Sequence, residues 1–291
     1  MIKLGVLHLA LLFINNSYSQ ISGILLSSET KEGISYANIW LSNKGTGTTS
    51  TYKGAFSLNE ASINDTLIIS ALGFEKKIYP ITRGVDTIEL IPLAVELKEF
   101  IVSTPKIEKE LEVGTYKKSL IHSFMSSQLP TLYARKFDYN STYNTTPFLK
   151  SIKVLTKNKL DSTIINVRIL SVNEDSSPGK SLIDSNLIVK VKNGKNNTKI
   201  DLSKLLLRIP ENGFYIAFEW LLLEENKYYY NVTEYESKVK VRNFSYQPYL
   251  GTVEQQIDNE FWMYHNGKWI QHEFSNGEKL IVPAITLTLS N

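Results

Sequence analysis

The chain has 291 residues, of which 42% are hydrophobic and 21% charged, a composition that supports a packed core and excludes wholesale disorder. Its 32 Lys and Arg residues against 29 Asp and Glu residues leave a net charge of +3, too small to indicate a nucleic-acid-binding surface. The chain contains no cysteine, which excludes disulfides, thiolate metal sites, a cysteine nucleophile and an acylated-cysteine lipid anchor.

The first 19 residues have the three parts of a secretory signal peptide. Lys3 is basic, residues 4–14 form an apolar run, and Ser17 and Ser19 are small residues of the kind that a signal peptidase requires. The apolar run is shorter than the ~20 residues that span a bilayer, so an uncleaved anchor is the lesser alternative. We expect an exported protein without a transmembrane helix in the mature chain, located in the periplasm, associated with the outer membrane, or extracellular.

Residues 20–103 break into short runs of alternating residues separated by turn residues. The alternation predicts strands at 21–26, 36–42, 55–58, 66–71, 74–79, 86–91 and 97–103. In the second of these runs, one face carries Ala37, Ile39 and Leu41, and the other carries Tyr36, Asn38 and Trp40. The pattern predicts an antiparallel β-sandwich domain over residues 20–103.

Five segments of this region, 21–25, 34–39, 47–58, 65–70 and 72–74, carry a family resemblance. Their order resembles the carboxypeptidase-regulatory-like family of bacterial envelope proteins, whose domains are transthyretin-like (prealbumin-like) β-sandwiches. The resemblance implies a regulatory-type module and not a peptidase, and the chain contains neither an H-x-x-E nor an H-E-x-x-H zinc motif. In this family the domain often precedes a TonB-dependent barrel, but the remaining chain is short for such a receptor.

The sequence changes character after residue 103, and we predict a linker at 104–130 followed by a second domain at 131–291. In the second domain the alternation predicts strands at 132–139, 148–156, 162–172, 187–191, 198–202, 213–223, 227–233 and 279–289, with a hairpin at 260–274. This pattern favours a jelly-roll-like β-sandwich. Segments 148–154 and 213–220 resemble C-terminal domains that accompany the first module and have no assigned activity.

No set of residues has the spacing of a catalytic or metal centre. Glu174–Asp175 and Glu224–Glu225 are adjacent pairs that would point to opposite sides of the chain, and a G-x-S-x-G nucleophile motif is absent. Asp175 and Asp184 have no specific calcium spacing. We therefore expect no catalytic residue, no cofactor and no metal ligand.

The hairpin at 260–274 is the one local feature that indicates a binding surface. A two-residue turn at Asn266 and Gly267 places Tyr264 opposite Trp269 and Met263 opposite Ile270. The aromatic residues Trp262, Tyr264 and Trp269 then share one face, and we expect the other face, with Phe261, Met263 and Ile270, to enter the core. The aromatic face packs under a loop or against the first domain, contacts a partner protein, or stacks on a sugar ring.

These features favour an exported, non-enzymatic binding or scaffolding protein of the cell envelope. Its partner would be an envelope protein or a glycan, and not a nucleic acid. One alternative is a carbohydrate-binding or accessory module of a glycan-processing or TonB-linked uptake system. A second alternative is an uncharacterised hydrolase, which would require two carboxylates facing each other in a cleft at the domain joint.

Overall fold

The computed structural model describes residues 20–82, 84, 87–93, 109–114, 123–126, 129–236, 238–256, 261–271 and 279–291. The described chain is nearly all strand, which confirms the all-β prediction; its helical structure is limited to 3-10 turns at Ser141–Thr145, Ser203–Leu205 and Glu224–Asn226. The predicted signal peptide and the predicted strand at 97–103 lie outside the described residues. Within those residues, no helix has the length and apolar character to cross a membrane.

Strands β1 to β7 form the first lobe. They are β1 (Gln20–Ser27), β2 (Asn38–Leu41), β3 (Gly47–Thr49), β4 (Ala55–Asn59), β5 (Thr66–Ser70), β6 (Lys77–Pro80) and β7 (Thr87–Leu90). One sheet has the order β4-β1-β7 and the other β3-β2-β5-β6. The purely antiparallel prediction is wrong at one edge, because β7 pairs with β1 in parallel. The chain crosses through the second sheet before β7, and such a crossover allows parallel pairing.

The two sheets of the first lobe enclose one core. Buried residues of both sheets share it, namely Leu25, Phe56, Leu58, Ile88 and Leu90 from one side and Ile39, Leu41, Leu67 and Ile69 from the other. Gly54 turns the chain before β4 with φ +84°, and a Cβ there would lie 2.4 Å from the carbonyl oxygen of Leu25. Because only glycine meets both conditions, this turn fixes how β1 and β4 meet.

Strands β8 to β20 form the second lobe. They are β8 (Glu110–Val113), β9 (Ser123–Ser126), β10 (Leu132–Phe137), β11 (Phe148–Val172), β12 (Pro178–Ser181), β13 (Leu187–Asp201), β14 (Phe214–Trp220), β15 (Lys227–Thr233), β16 (Lys240–Gln256), β17 (Phe261–His265), β18 (Lys268–Gln271), β19 (Lys279–Pro283) and β20 (Ile285–Ser290). They join into one 13-stranded network with the central order β15-β16-β11-β14-β10-β17-β18. Each pairing within it is antiparallel.

Several strands of the second lobe differ from the predicted ones. The strand β11 replaces the two predicted strands 148–156 and 162–172, and β13 replaces the two predicted strands 187–191 and 198–202. The two long strands pair along their length, with an irregularity between Asn158 and Ser162. The polar residues between the predicted strands bulge without ending the ladder, since Asn158 Nδ2 donates to the carbonyl of Val191 at 2.9 Å. Strand β16 was not predicted, and the predicted linker 104–130 contains β8 and β9, which pair with β20 and β16.

The main core of the second lobe lies on one face of its central strands. Val167, Ile169, Phe214, Phe218 and Trp220 are buried in it, together with residues of the returning strands β19 and β20. A separate small cluster of Ala134, Leu170, Tyr215 and Ala217 lies on the opposite face. The face opposite the main core is therefore also covered, and the residues that pack on it determine how the two lobes are arranged.

Candidate functional site

Strands β2 and β14 meet where the two lobes join, and each is buried on both of its faces. All four residues of β2 and all seven of β14 are buried. The predicted alternation of both strands holds: Ile39 enters the core of the first lobe and Phe218 the core of the second. The remaining faces carry Asn38 and Trp40 on β2 and Glu219 on β14, so a polar contact forms between the lobes.

The carboxylate of Glu219 is the centre of this contact. The residue is fully buried, and its two oxygens accept four hydrogen bonds. Oε1 accepts from Asn38 Nδ2 at 2.5 Å and from Arg168 Nη2 at 2.9 Å, and Oε2 accepts from Asn166 Nδ2 at 2.6 Å and from Arg168 Nε at 2.8 Å. A carboxylate has about four lone-pair positions, so this network occupies them all. The bidentate guanidinium supplies the compensating charge.

Other contacts across the joint surround this network. Trp40 Nε1 donates to the carbonyl of Pro130 at 3.2 Å, and its ring meets that of Tyr264 edge-on at 5.8 Å. The backbone amide of Leu222 donates to Thr49 Oγ1 at 3.0 Å. Since these contacts combine buried polar partners with aromatic packing, the joint resembles a core more than a loose surface contact.

The predicted hairpin lies beside this joint. Its register is confirmed, with Tyr264 paired to Trp269 and Met263 to Ile270. Trp262 and Trp269 pack on the small cluster of the second lobe, while Tyr264 packs on Trp40 and hydrogen-bonds with Ser70. Burial raises the pKa of the Tyr264 phenol. The aromatic face thus lies against the first lobe and the sheet beneath it.

The opposite face of the hairpin only partly follows the prediction. Phe261 enters the main core with 1% of its surface exposed, as expected. Ile270 is 47% exposed, so its predicted core position is wrong. The reason is its strand: β18 is at the end of the central order, beyond the strands that cover the core.

A small polar cavity of about 170 Å³ lies between the lobes next to the Glu219 network. Its walls bring together residues far apart in the sequence, including Asn38, Ser70, Arg168, Glu219, Tyr264 and Trp269. Asn38 Oδ1 is buried at this wall and has no hydrogen-bond partner among the described residues. Two of the three predicted surface residues, Tyr264 and Trp269, therefore line a cavity.

A larger groove of about 620 Å³ lies at another part of the junction. The first lobe contributes residues 27, 29, 30 and 32–36 together with Leu72, Phe74 and Pro92, and the second lobe contributes residues 184–186 and Ile188. Asn186 Nδ2 donates to the carbonyl of Ser35 at 3.4 Å, which joins the two walls. The groove has the size of a typical ligand site.

Two of the carboxylates noted in the sequence, Asp175 and Glu224, have local partners. Asp175 accepts from the amide and hydroxyl of Ser177 at 3.0 and 2.6 Å, which lowers its pKa and closes a turn. Glu224 accepts from the Tyr229 hydroxyl at 3.0 Å on the surface. Across the part of the chain that the structure describes, no three His, Asp or Glu residues form a group suited to a metal ion.

Sequence reasoning missed Asn38, Arg168 and Glu219 as the central residues of the joint. The sequence feature that could have identified two of them is a polar residue within an otherwise aromatic or aliphatic strand. Asn38 lies between Ala37 and Ile39. Glu219 lies between Phe218 and Trp220. Such a residue faces either water or a buried partner. The sequence does not distinguish these outcomes, because Asn38 and Glu219 are 181 positions apart.

Comparisons with known proteins identify the first lobe. Residues 21–102 match the family model of the CarboxypepD_reg-like domain, which confirms the resemblance and the transthyretin-like sandwich. No curated protein sequence matches the chain. A crystal structure of the cysteine protease and lectin-like domains of Cwp84, a surface layer associated protein of Clostridium difficile, is similar with a TM-score of 0.40 and 10% identity. The similarity covers 84% of this chain and 46% of that one.

Replacement of Glu219 tests whether the buried network stabilises the fold. We expect Glu219→Gln to lower the free energy of unfolding by about 3 kcal/mol, because the Arg168 guanidinium loses its buried counter-charge. The matched control is Glu110→Gln, which removes the ion pair with Lys150, where Glu110 is 50% exposed. That control should cost less than about 1 kcal/mol. Equal losses for the two variants in urea titrations would contradict a buried, stabilising role for Glu219.

Proposed function

We propose that this protein is exported and has a non-enzymatic binding or scaffolding role in the cell envelope. Its residues 21–102 are a CarboxypepD_reg-like domain. The predicted signal peptide at 1–19 supports export, and with it a periplasmic, outer-membrane-associated or extracellular location. The regulatory-type domain supports a module that binds other molecules.

The single observation that carries this proposal is that both carboxylate oxygens of Glu219 are fully occupied by hydrogen bonds. A general acid or base must exchange a proton with substrate within hydrogen-bond reach. The oxygens of Glu219 are instead occupied by Asn38, Asn166 and Arg168, and the residue is fully buried. Among the described residues that line the small cavity, Glu219 is the only carboxylate. A hydrolase of the two-carboxylate type needs a second one facing it, so the network supports a structural joint over an acid–base centre.

The proposal is tested by covalent capture in the cell envelope. The full chain is produced with its first 19 residues, and a lysine-reactive cross-linker is applied to the intact envelope fraction. We expect the protein in that fraction with Gln20 as its first residue, in discrete adducts that excess unlabelled protein abolishes. The same purified protein should release no product from chromogenic glycosides, esters or peptides.

The control is the same chain without residues 1–19, which should remain in the cytoplasm and give none of these adducts. Two results would contradict the proposal: an unprocessed, cytoplasmic chain with no adducts, or catalytic turnover of one substrate class. Turnover that Glu219→Gln removes without loss of stability would favour the hydrolase alternative.

A second candidate function, carbohydrate binding, is favoured by the walls of the small cavity. Tyr264 and Trp269 place aromatic rings beside the polar groups of Ser70, Arg168 and Asn38. The Arg168–Glu219 pair is neutral as a whole, so the cavity suits an uncharged polar ligand. At the ~30 Å³ that one water molecule occupies in the liquid, the volume of 170 Å³ corresponds to roughly six waters, which is about the size of one sugar ring.

Substitution of Trp269 tests carbohydrate binding. If a sugar ring stacks in the cavity, Trp269→Ala should reduce binding to a glycan array by about tenfold or more, because stacking on the indole is lost. The matched control is Ile270→Ala, one position further on the same strand and on the opposite face. Glycan binding that survives replacement of Trp262, Tyr264 and Trp269 together would exclude this function.

A further inference from the structure

The large groove between the lobes carries an unbalanced negative charge. Glu29 and Glu32 of the first lobe and Asp184 of the second line it, and all three are exposed. Among the described residues none of these three carboxylates has an ion-pair or hydrogen-bond partner. Lys31, which lies between the two glutamates in sequence, is instead paired with Glu89 at 2.7 Å. No lysine, arginine or histidine is among the residues that line the groove.

The floor of the same groove is apolar and aromatic. Ile34, Leu72, Phe74, Pro92 and Ile188 contribute to it together with the ring of Tyr36. Tyr36 has φ +58°, a left-handed conformation that is unusual and strained for a bulky residue.

The buried joint holds the two walls of the groove in place. Asn166, which donates to Glu219, also donates to Asn186 Oδ1 at 2.9 Å and accepts from the amide of Leu187 at 3.0 Å. Asn186 in turn donates to the carbonyl of Ser35. A continuous chain of hydrogen bonds therefore positions the wall that carries Asp184 against the wall that carries Glu32. A site organised in this way loses little entropy on binding.

We propose that this groove binds a polypeptide segment of a partner protein that carries Lys or Arg side chains. The inference rests on the proposed binding function and names the chemistry of the partner. A long cationic side chain lays its aliphatic stem along an apolar floor and keeps its charged end near carboxylates. Tyr36 and Phe74 offer aromatic faces to the cation, and Glu29, Glu32 and Asp184 offer the opposite charge from both walls. The groove volume of 620 Å³ accommodates more than one side chain, which favours a peptide over a single small cation.

The test measures fluorescence anisotropy of the fluorescein-labelled peptide Gly-Lys-Phe-Arg-Gly with the purified mature chain. We expect saturable binding that weakens as the salt concentration rises. The peptide Gly-Gln-Phe-Gln-Gly should bind at least about tenfold more weakly, because it lacks the cations. The triple variant Glu29→Gln, Glu32→Gln and Asp184→Asn should weaken binding of the basic peptide by about tenfold or more. These residues are exposed, so the variant should keep its fold.

A second triple variant is the matched control. Glu174→Gln, Glu211→Gln and Glu236→Gln remove the same charge from exposed positions outside the groove and should change the affinity less than about twofold. The proposal is overturned by equal losses in both variants, by equal binding of the two peptides, or by no binding of the basic peptide at millimolar concentration. Free arginine or spermidine that binds as tightly as the peptide overturns the polypeptide assignment. Each of these results leaves the envelope capture experiment unaffected, so failure of the groove is distinguishable from failure of the binding function.

Discussion

The contact between the two lobes depends on how the protein compensates for the buried carboxylate of Glu219. A carboxylate removed from water is costly unless hydrogen bonds and an opposite charge replace its hydration. Glu219 obtains these from two other strands: Asn38 on β2, and Asn166 and Arg168 on β11 next to its own strand β14. Because Asn38 belongs to the first lobe and the others to the second, the compensation is complete only when the lobes are in contact.

The small cavity and the large groove at the junction both lie next to this network. Trp40 and Tyr264 pack against each other on the aromatic side of the joint, and Tyr264 and Arg168 line the small polar cavity. On the other side of the joint, Asn166 donates a hydrogen bond to Asn186, and this bond fixes one wall of the large groove. Both openings combine residues of the two lobes, so neither would exist in an isolated lobe. A joint of this type produces binding surfaces without requiring a reactive group.

Much of this architecture follows from the period-two pattern of the sequence. The alternation in β2 and β14 predicts which residues enter each core, and Asn266–Gly267 predicts the hairpin and its register. The polar interruptions in β11 and β13 are misleading, because a long ladder absorbs them as a bulge that a single sequence does not distinguish from a turn. The strands β8 and β9 lie in the predicted linker, of which only the first half is charged, and their pairing partners are more than a hundred residues away.

The residues of the candidate sites were harder to predict than the cores. Period and hydrophobicity identify Trp262, Tyr264 and Trp269 as one face, but they do not state whether a partner or the first lobe covers it. The joint depends on which polar residue meets which across 181 positions, and the groove depends on two loops from different lobes. Such juxtapositions are set by the docking of completed sheets, which no local pattern specifies.

A double-mutant cycle between Asn38 and Glu219 tests most directly whether the Glu219 carboxylate links the two lobes. The free energy of unfolding is measured in urea for Asn38→Ala, Glu219→Met and the double variant. The apolar, similarly sized Met removes the acceptor without opening a large space. If the carboxylate links the two lobes, the losses should be non-additive, with a coupling free energy of about 1 kcal/mol. Losses that add to within ~0.3 kcal/mol would show that the two residues act independently, and would contradict the claim that Glu219 joins the lobes.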